Sequence, residues 1–206
     1  MAKVLEAGEE SALARFTLGL TIRTVMAAVG VPLLVLATQY DHPLGPWLHR
    51  LLWVVGPLGG VLMASGAQGF RTHAAGLAFG LATASEIYAA FMGFYDSPLS
   101  VEQVPVAEAI TELLGLIGML SMVASIRGSA EDAQAPALVA RCHRASANLL
   151  VAFVCLLIVR VVMWQGGFAG LSAIIIAGVV VAFVTVALLN VLSVTGGLRS
   201  LEEVEG

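Results

Sequence analysis

Six stretches of about twenty apolar residues, separated by short polar or turn-forming segments, constrain this chain more than anything else in it. At about 1.5 Å per residue, each stretch matches the ~30 Å hydrocarbon core of a bilayer. They occupy 17–37, 47–67, 74–95, 106–126, 145–164 and 171–194. Backbone amides in hydrocarbon must bond within their own segment or in a closed barrel, and spans of this length point to helices. The predicted fold is all-α: a polytopic membrane helical bundle with six transmembrane helices. Composition agrees, because the chain is 59% hydrophobic and only 12% charged, whereas a soluble domain is about a quarter charged.

The segments between the spans carry the turn signals. QYDHPLGPW (39–47) and DSPLSVEQVP (96–105) are rich in turn-formers, and Gln165-Gly166-Gly167 predicts a tight turn. The longest linker, RGSAEDAQAPALVARCHRAS (127–146), predicts a short interfacial helix after Pro136 that exposes Arg141, His143 and Arg144. One membrane domain is expected over 16–196, with a polar lead-in at 1–15 and an acidic tail at 197–206. The lead-in lacks the basic region of a cleaved signal peptide, so the first span is read as permanent.

Cations set the orientation. With the N-terminus inside, the inner segments collect Lys3, Arg15, Arg71, Arg127, Arg141, Arg144 and Arg199, and the outer loops hold Arg50. That bias predicts both termini in the cytoplasm of a cell that carries the chain in its inner, or cytoplasmic, membrane. Tyr40, Trp47, Trp53, Phe94, Tyr95, Trp164 and Phe168 gather near the outer boundary, as an aromatic belt does. A net charge of −4 with 10 Lys and Arg excludes a basic nucleic-acid surface.

Two prolines interrupt the spans. Pro32 is expected to kink the first helix. In the second, Gly56-Pro57-Leu58-Gly59-Gly60 suggests either a broken helix with a hinge or a kinked helix whose glycines allow close packing. Cys155 lies in an apolar run and Cys142 in a polar linker, so neither a disulfide nor a zinc site is expected.

The candidate site lies between 82 and 118. Glu86, Glu108 and Glu112 stand there in otherwise apolar sequence, and a charge in hydrocarbon costs about 2.5–3.5 kcal/mol on insertion scales unless it is paired or wetted. Counted from the outer ends of their spans, Glu86 and Glu112 fall at nearly equal depth, and Glu108 lies one turn above Glu112. Ala82, Thr83, Ala89, Ala90 and Gly93 surround Glu86, a small-residue face that lets helices approach and offers the Thr83 hydroxyl as a donor. The expectation is that Glu86 and Glu112 face each other or a shared cavity and hold one proton between them. Arg160 is the expected counter-charge, paired with Glu108. Arg23 is expected to snorkel to the inner surface.

Histidines split two and two, His42 with His49 and His73 with His143, raise the idea of paired b-type haems. They stand in turns or at span ends, however, while haem ligands in bundles sit within facing helices, so no cofactor is expected. The residues thus suggest a small transporter or channel-like protein for protons, a small cation or a small solute. The alternative is a non-catalytic subunit or assembly factor of a larger membrane complex, with the Glu/Arg cluster structural. Expected partners are the bilayer and other membrane proteins or further copies of this chain. An intramembrane enzyme has least support, because no nucleophile, metal triad or phosphate loop accompanies the carboxylates.

Overall fold

The structure is a computed structural model describing residues 7–33, 36, 42–70, 72–94, 103–164 and 171–205. Side chains of 7, 49, 89–94, 103–108, 163–164, 171–174, 177 and 202–205 lie outside that description, as do the belt residues Tyr40, Tyr95 and Phe168 and the cations Lys3 and Arg71. The described residues are helical throughout their regular elements, and no strand occurs among them. The helices are α1 (Ala7–Val25), α2 (Gly45–Gly69), α3 (His73–Phe94), α4 (Gln103–Asp132), α5 (Pro136–Trp164) and α6 (Leu171–Glu205). Five described stretches, Gly8–Leu33, Gly45–Gly69, Ala109–Asp132, Pro136–Val162 and Gly178–Leu201, are long and apolar enough to cross a membrane.

Each helix packs antiparallel on the next in sequence, and α6 returns to α1 and also touches α4. The fully buried core gathers at one end, here termed basal, where α1, α3 and α5 begin and α2, α4 and α6 finish. Phe16, Phe70, Met122, Ile126 and Leu198 belong to it. The rings of Phe16 and Phe79 meet there at 5.8 Å, a contact of about 0.5–1.5 kcal/mol beyond area burial.

The basal elements run further than the spans predict. The lead-in is helical from Ala7, and Ala12 and Leu13 are fully buried. The stretch read as an acidic tail continues α6 to Glu205, with Leu198 fully buried. Leu13, Phe16 and Leu20 are spaced three and four apart, and that short amphipathic stripe is what the acidic residues around it obscure. At 35 residues, α6 is about 52 Å long. The bundle therefore extends past a bilayer core as a packed cap.

The long linker is also different. Pro136 begins α5 itself rather than a separate interfacial helix, and the connection shrinks to 133–135. Gln134 adopts φ 53°. Its N–H bonds the Glu131 carbonyl at 3.0 Å while that of Ala135 reaches Ala130 at 2.9 Å, a Schellman closure with glutamine where glycine is usual. Pro136 then occupies the helix start, where its absent N–H costs nothing.

Pro32 is accommodated by a π turn. Met26–Gly30 widens the helix, with the Val31 N–H bonded to the Met26 carbonyl, which relieves the clash of the proline ring with the preceding turn. α2 is one unbroken helix through Pro57, and its glycines pack closely against α1. A Cβ on Gly19 would stand 2.5 Å from the Gly59 carbonyl oxygen and 2.8 Å from the Met63 nitrogen. The backbones of α1 and α2 are in contact there.

Candidate functional site

Helix packing sets the depth of every ionisable group in the spans. Gly56 of α2 lies against Met26 of the π turn and Glu86 of α3, and Gly59 against Gly19, Ile22 and Arg23 of α1. Arg23 is therefore about one turn basal to Glu86, within reach of an extended arginine. Two turns nearer the base of α3, Phe79 packs against Gly118 of α4. Glu86 lies about two turns distal to Phe79 and Glu112 about two turns distal to Gly118, which places both carboxylates at one level.

They are held there by different arginines. The Arg23 guanidinium donates from Nη1 to Glu86 Oε1 and from Nη2 to Glu86 Oε2, both at 2.7 Å. This is the parallel two-bond fork that favours arginine over lysine at such a site. Arg160 of α5 donates from Nη2 to Oε1 of Glu112. The side chains are each about a quarter exposed, 26% for both arginines and 23% for both glutamates.

The pairing differs from expectation in two respects. Among the described contacts, Glu86 and Glu112 each meet an arginine rather than one another. Arg23 does not snorkel to the basal surface. The early start of α1 sets it in the middle of a helix of the span Gly8–Leu33 rather than in its first turns. Arg160 reaches Glu112; the side chain of Glu108, its expected partner, lies outside the described residues. The Thr83 hydroxyl donates to the Phe79 carbonyl at 2.7 Å in its own helix, not to a carboxylate. Asn190 likewise bonds its own helix, at the Val186 carbonyl.

Glycine makes the first pair geometrically possible. A Cβ on Gly60 would stand 2.7 Å from Arg23 Nη2 and would also strike Thr83. The guanidinium thus crosses from α1 to α3 over a bare stretch of α2 backbone. The sequence signal for this pair is an arginine in one apolar helix opposite paired glycines in the next. Within the two pairs, Arg23 Nε and Glu112 Oε2 are buried without a hydrogen-bond partner among the described residues. The second pair therefore keeps an acceptor without a partner among the described residues.

No group of three His, Cys, Asp or Glu that could hold a metal occurs among the described residues, and Cys142 and Cys155 are free thiols. At the distal end Arg50 lies over the Trp47 ring, 5.7 Å from its centroid. That contact suits an interfacial aromatic. The chain matches no family model, no curated protein and no solved structure.

Proposed function

We propose that this chain is a small membrane transporter or channel-like protein, moving protons, a small cation or a small solute past the level of Glu86 and Glu112. The supporting observation is the pair of Arg–Glu contacts at one depth, drawn from α1, α3, α4 and α5, with all four side chains a quarter exposed. Intramembrane ionisable groups are costly, and where they persist they usually mark a transport pathway. In this reading each pair is a closed position. A proton or cation arriving at the carboxylate competes with the arginine, which stays charged at any accessible pH, and frees it to move. Both termini face the cytoplasm, following the distribution of cations.

The test is flux in proteoliposomes under an imposed pH gradient. Glu86→Gln and Glu112→Gln are each expected to abolish pH-dependent flux in protein that still elutes as a folded species. Full flux in both variants sinks the carboxylate mechanism.

One observation favours the second reading, a non-catalytic subunit or assembly factor. The Arg23–Glu86 fork seated on Gly60 has the form of a static helix lock. Under that reading the neutral double variant Arg23→Leu/Glu86→Leu keeps its membrane partners, and stable partners co-purify with the natural chain.

A further inference from the structure

We propose that the first turns of α5 form a binding site for an anionic phospholipid, whose phosphate is taken by Arg141 and Arg144. The site is independent of the transport reading. Arg141, His143 and Arg144 are all exposed. Arg127, on the neighbouring end of α4, is by contrast engaged with Glu131 at 3.4 Å, and Arg15 donates to Ser11. Positions three apart on a helix share one side. Arg141 is steadied on its α6 flank, with Nη1 3.7 Å from where a Cβ of Gly197 would stand. Two guanidinium forks at that spacing suit a single phosphate group.

The surroundings select a lipid rather than a free anion. Distal to Arg144, the exposed face of α5 continues through Ala147, Val151, Val154 and Ile158. Those steps of three and four residues form an unbroken apolar track on which an acyl chain can lie. An open groove of about 520 Å³ lies between the end of α4 and the start of α5, with Pro136, Val139, Ala140 and His143 on its α5 side. Arg144, one turn beyond Ala140, stands at its edge, and Arg141 lies on the α6 flank. The groove offers room for the headgroup beyond the phosphate. Glu131 also lines this groove, and its charge is offset by Arg127. Track, Arg144 (with Arg141 beside it) and groove thus follow one another along α5 in the order of a phospholipid's acyl chain, phosphate and headgroup.

The experiment is native mass spectrometry of the full chain released from nanodiscs containing equal phosphatidylglycerol and phosphatidylcholine with matched acyl chains. The natural chain is expected to retain phosphatidylglycerol preferentially. Arg141→Gln/Arg144→Gln is expected to lower that retention about fivefold per arginine removed, from roughly 1 kcal/mol for each cation at an anionic membrane surface. Arg15→Gln, an exposed cation on α1, is expected to leave it unchanged. Equal retention of both lipids, or unchanged retention in the double variant, overturns the proposal. So does an equal loss in Arg15→Gln, which would indicate diffuse surface charge. Displacement by added inorganic phosphate would indicate an anion site and overturn the lipid assignment. All three arginines are solvent-exposed, and thermal unfolding of each variant checks that the fold is retained.

Discussion

Arg23 and Glu86 show how little of a charged residue's behaviour in a membrane is set by the residue alone. Either one unpaired would be driven to an interface or to its neutral form; together, in a two-bond fork, they remain in the bundle as a neutral unit. Removing one partner strands the other. Glu86→Gln is expected to cost about 2–3 kcal/mol, below the 3–5 kcal/mol of a fully sealed pair because the side chains keep some access to solvent. The double variant Arg23→Leu/Glu86→Leu should lose less than either single change, since no charge is left uncompensated. Thermal unfolding in detergent measures both, and a double variant no better than Glu86→Gln would show that the pair is not a coupled unit. The presence of ionisable residues in the spans was legible from the sequence, and so was the common depth of Glu86 and Glu112. Their partners were not, because choosing among four charges requires knowing which helix faces which.

At the scale of elements, glycine is the deciding residue, but only where another backbone approaches. Gly19 meets the backbone of α2, whereas nothing lies within 4 Å of a Cβ on Gly80. Gly19→Ala is therefore expected to push α1 from α2 at a cost of about 1–3 kcal/mol. Gly80→Ala should be neutral, or stabilising by up to about 1 kcal/mol from helix propensity. Similar melting temperatures for the two variants would refute the close α1–α2 contact. A further test concerns the α4–α5 connection. Gln134 holds a left-handed conformation that costs an L residue about 1–2 kcal/mol, so Gln134→Gly is expected to raise stability by about 1 kcal/mol. A lowered melting temperature would mean that the Gln134 side chain contributes more than its backbone strain removes.

For the whole molecule, the core is concentrated at the basal end, where the two chain ends meet. Leu13 of α1 and Leu198 of α6 are both fully buried in one cluster, although they stand in stretches that read as a polar lead-in and an acidic tail. Leu13→Ala and Leu198→Ala are each expected to destabilise by about 2–5 kcal/mol, the range for large-to-small changes in a packed core. Truncation before residue 198 should do comparable damage. If that truncation leaves the unfolding temperature unchanged, α6 does not close the bundle. The same arrangement puts both ends of the described chain on one side of any bilayer it spans. Reporter fusions at the two termini should thus give the same sidedness, with the cytoplasmic side expected.

By itself the sequence determined that the chain is helical, that several helices can cross a membrane, and that carboxylates and arginines lie within them. Those properties depend on segment length and on the cost of bare amides and charges in hydrocarbon, both readable along a single strand of text. Tertiary structure decided the rest: Arg23 over Glu112 as the partner of Glu86, the close approach of other helices at Gly59 and Gly60, and core rather than tail at Leu198. Each depends on which faces of two distant helices meet. A helix end is also hard to read where polar residues surround a narrow apolar stripe, since a stripe three residues long counts for little until a neighbouring helix buries it.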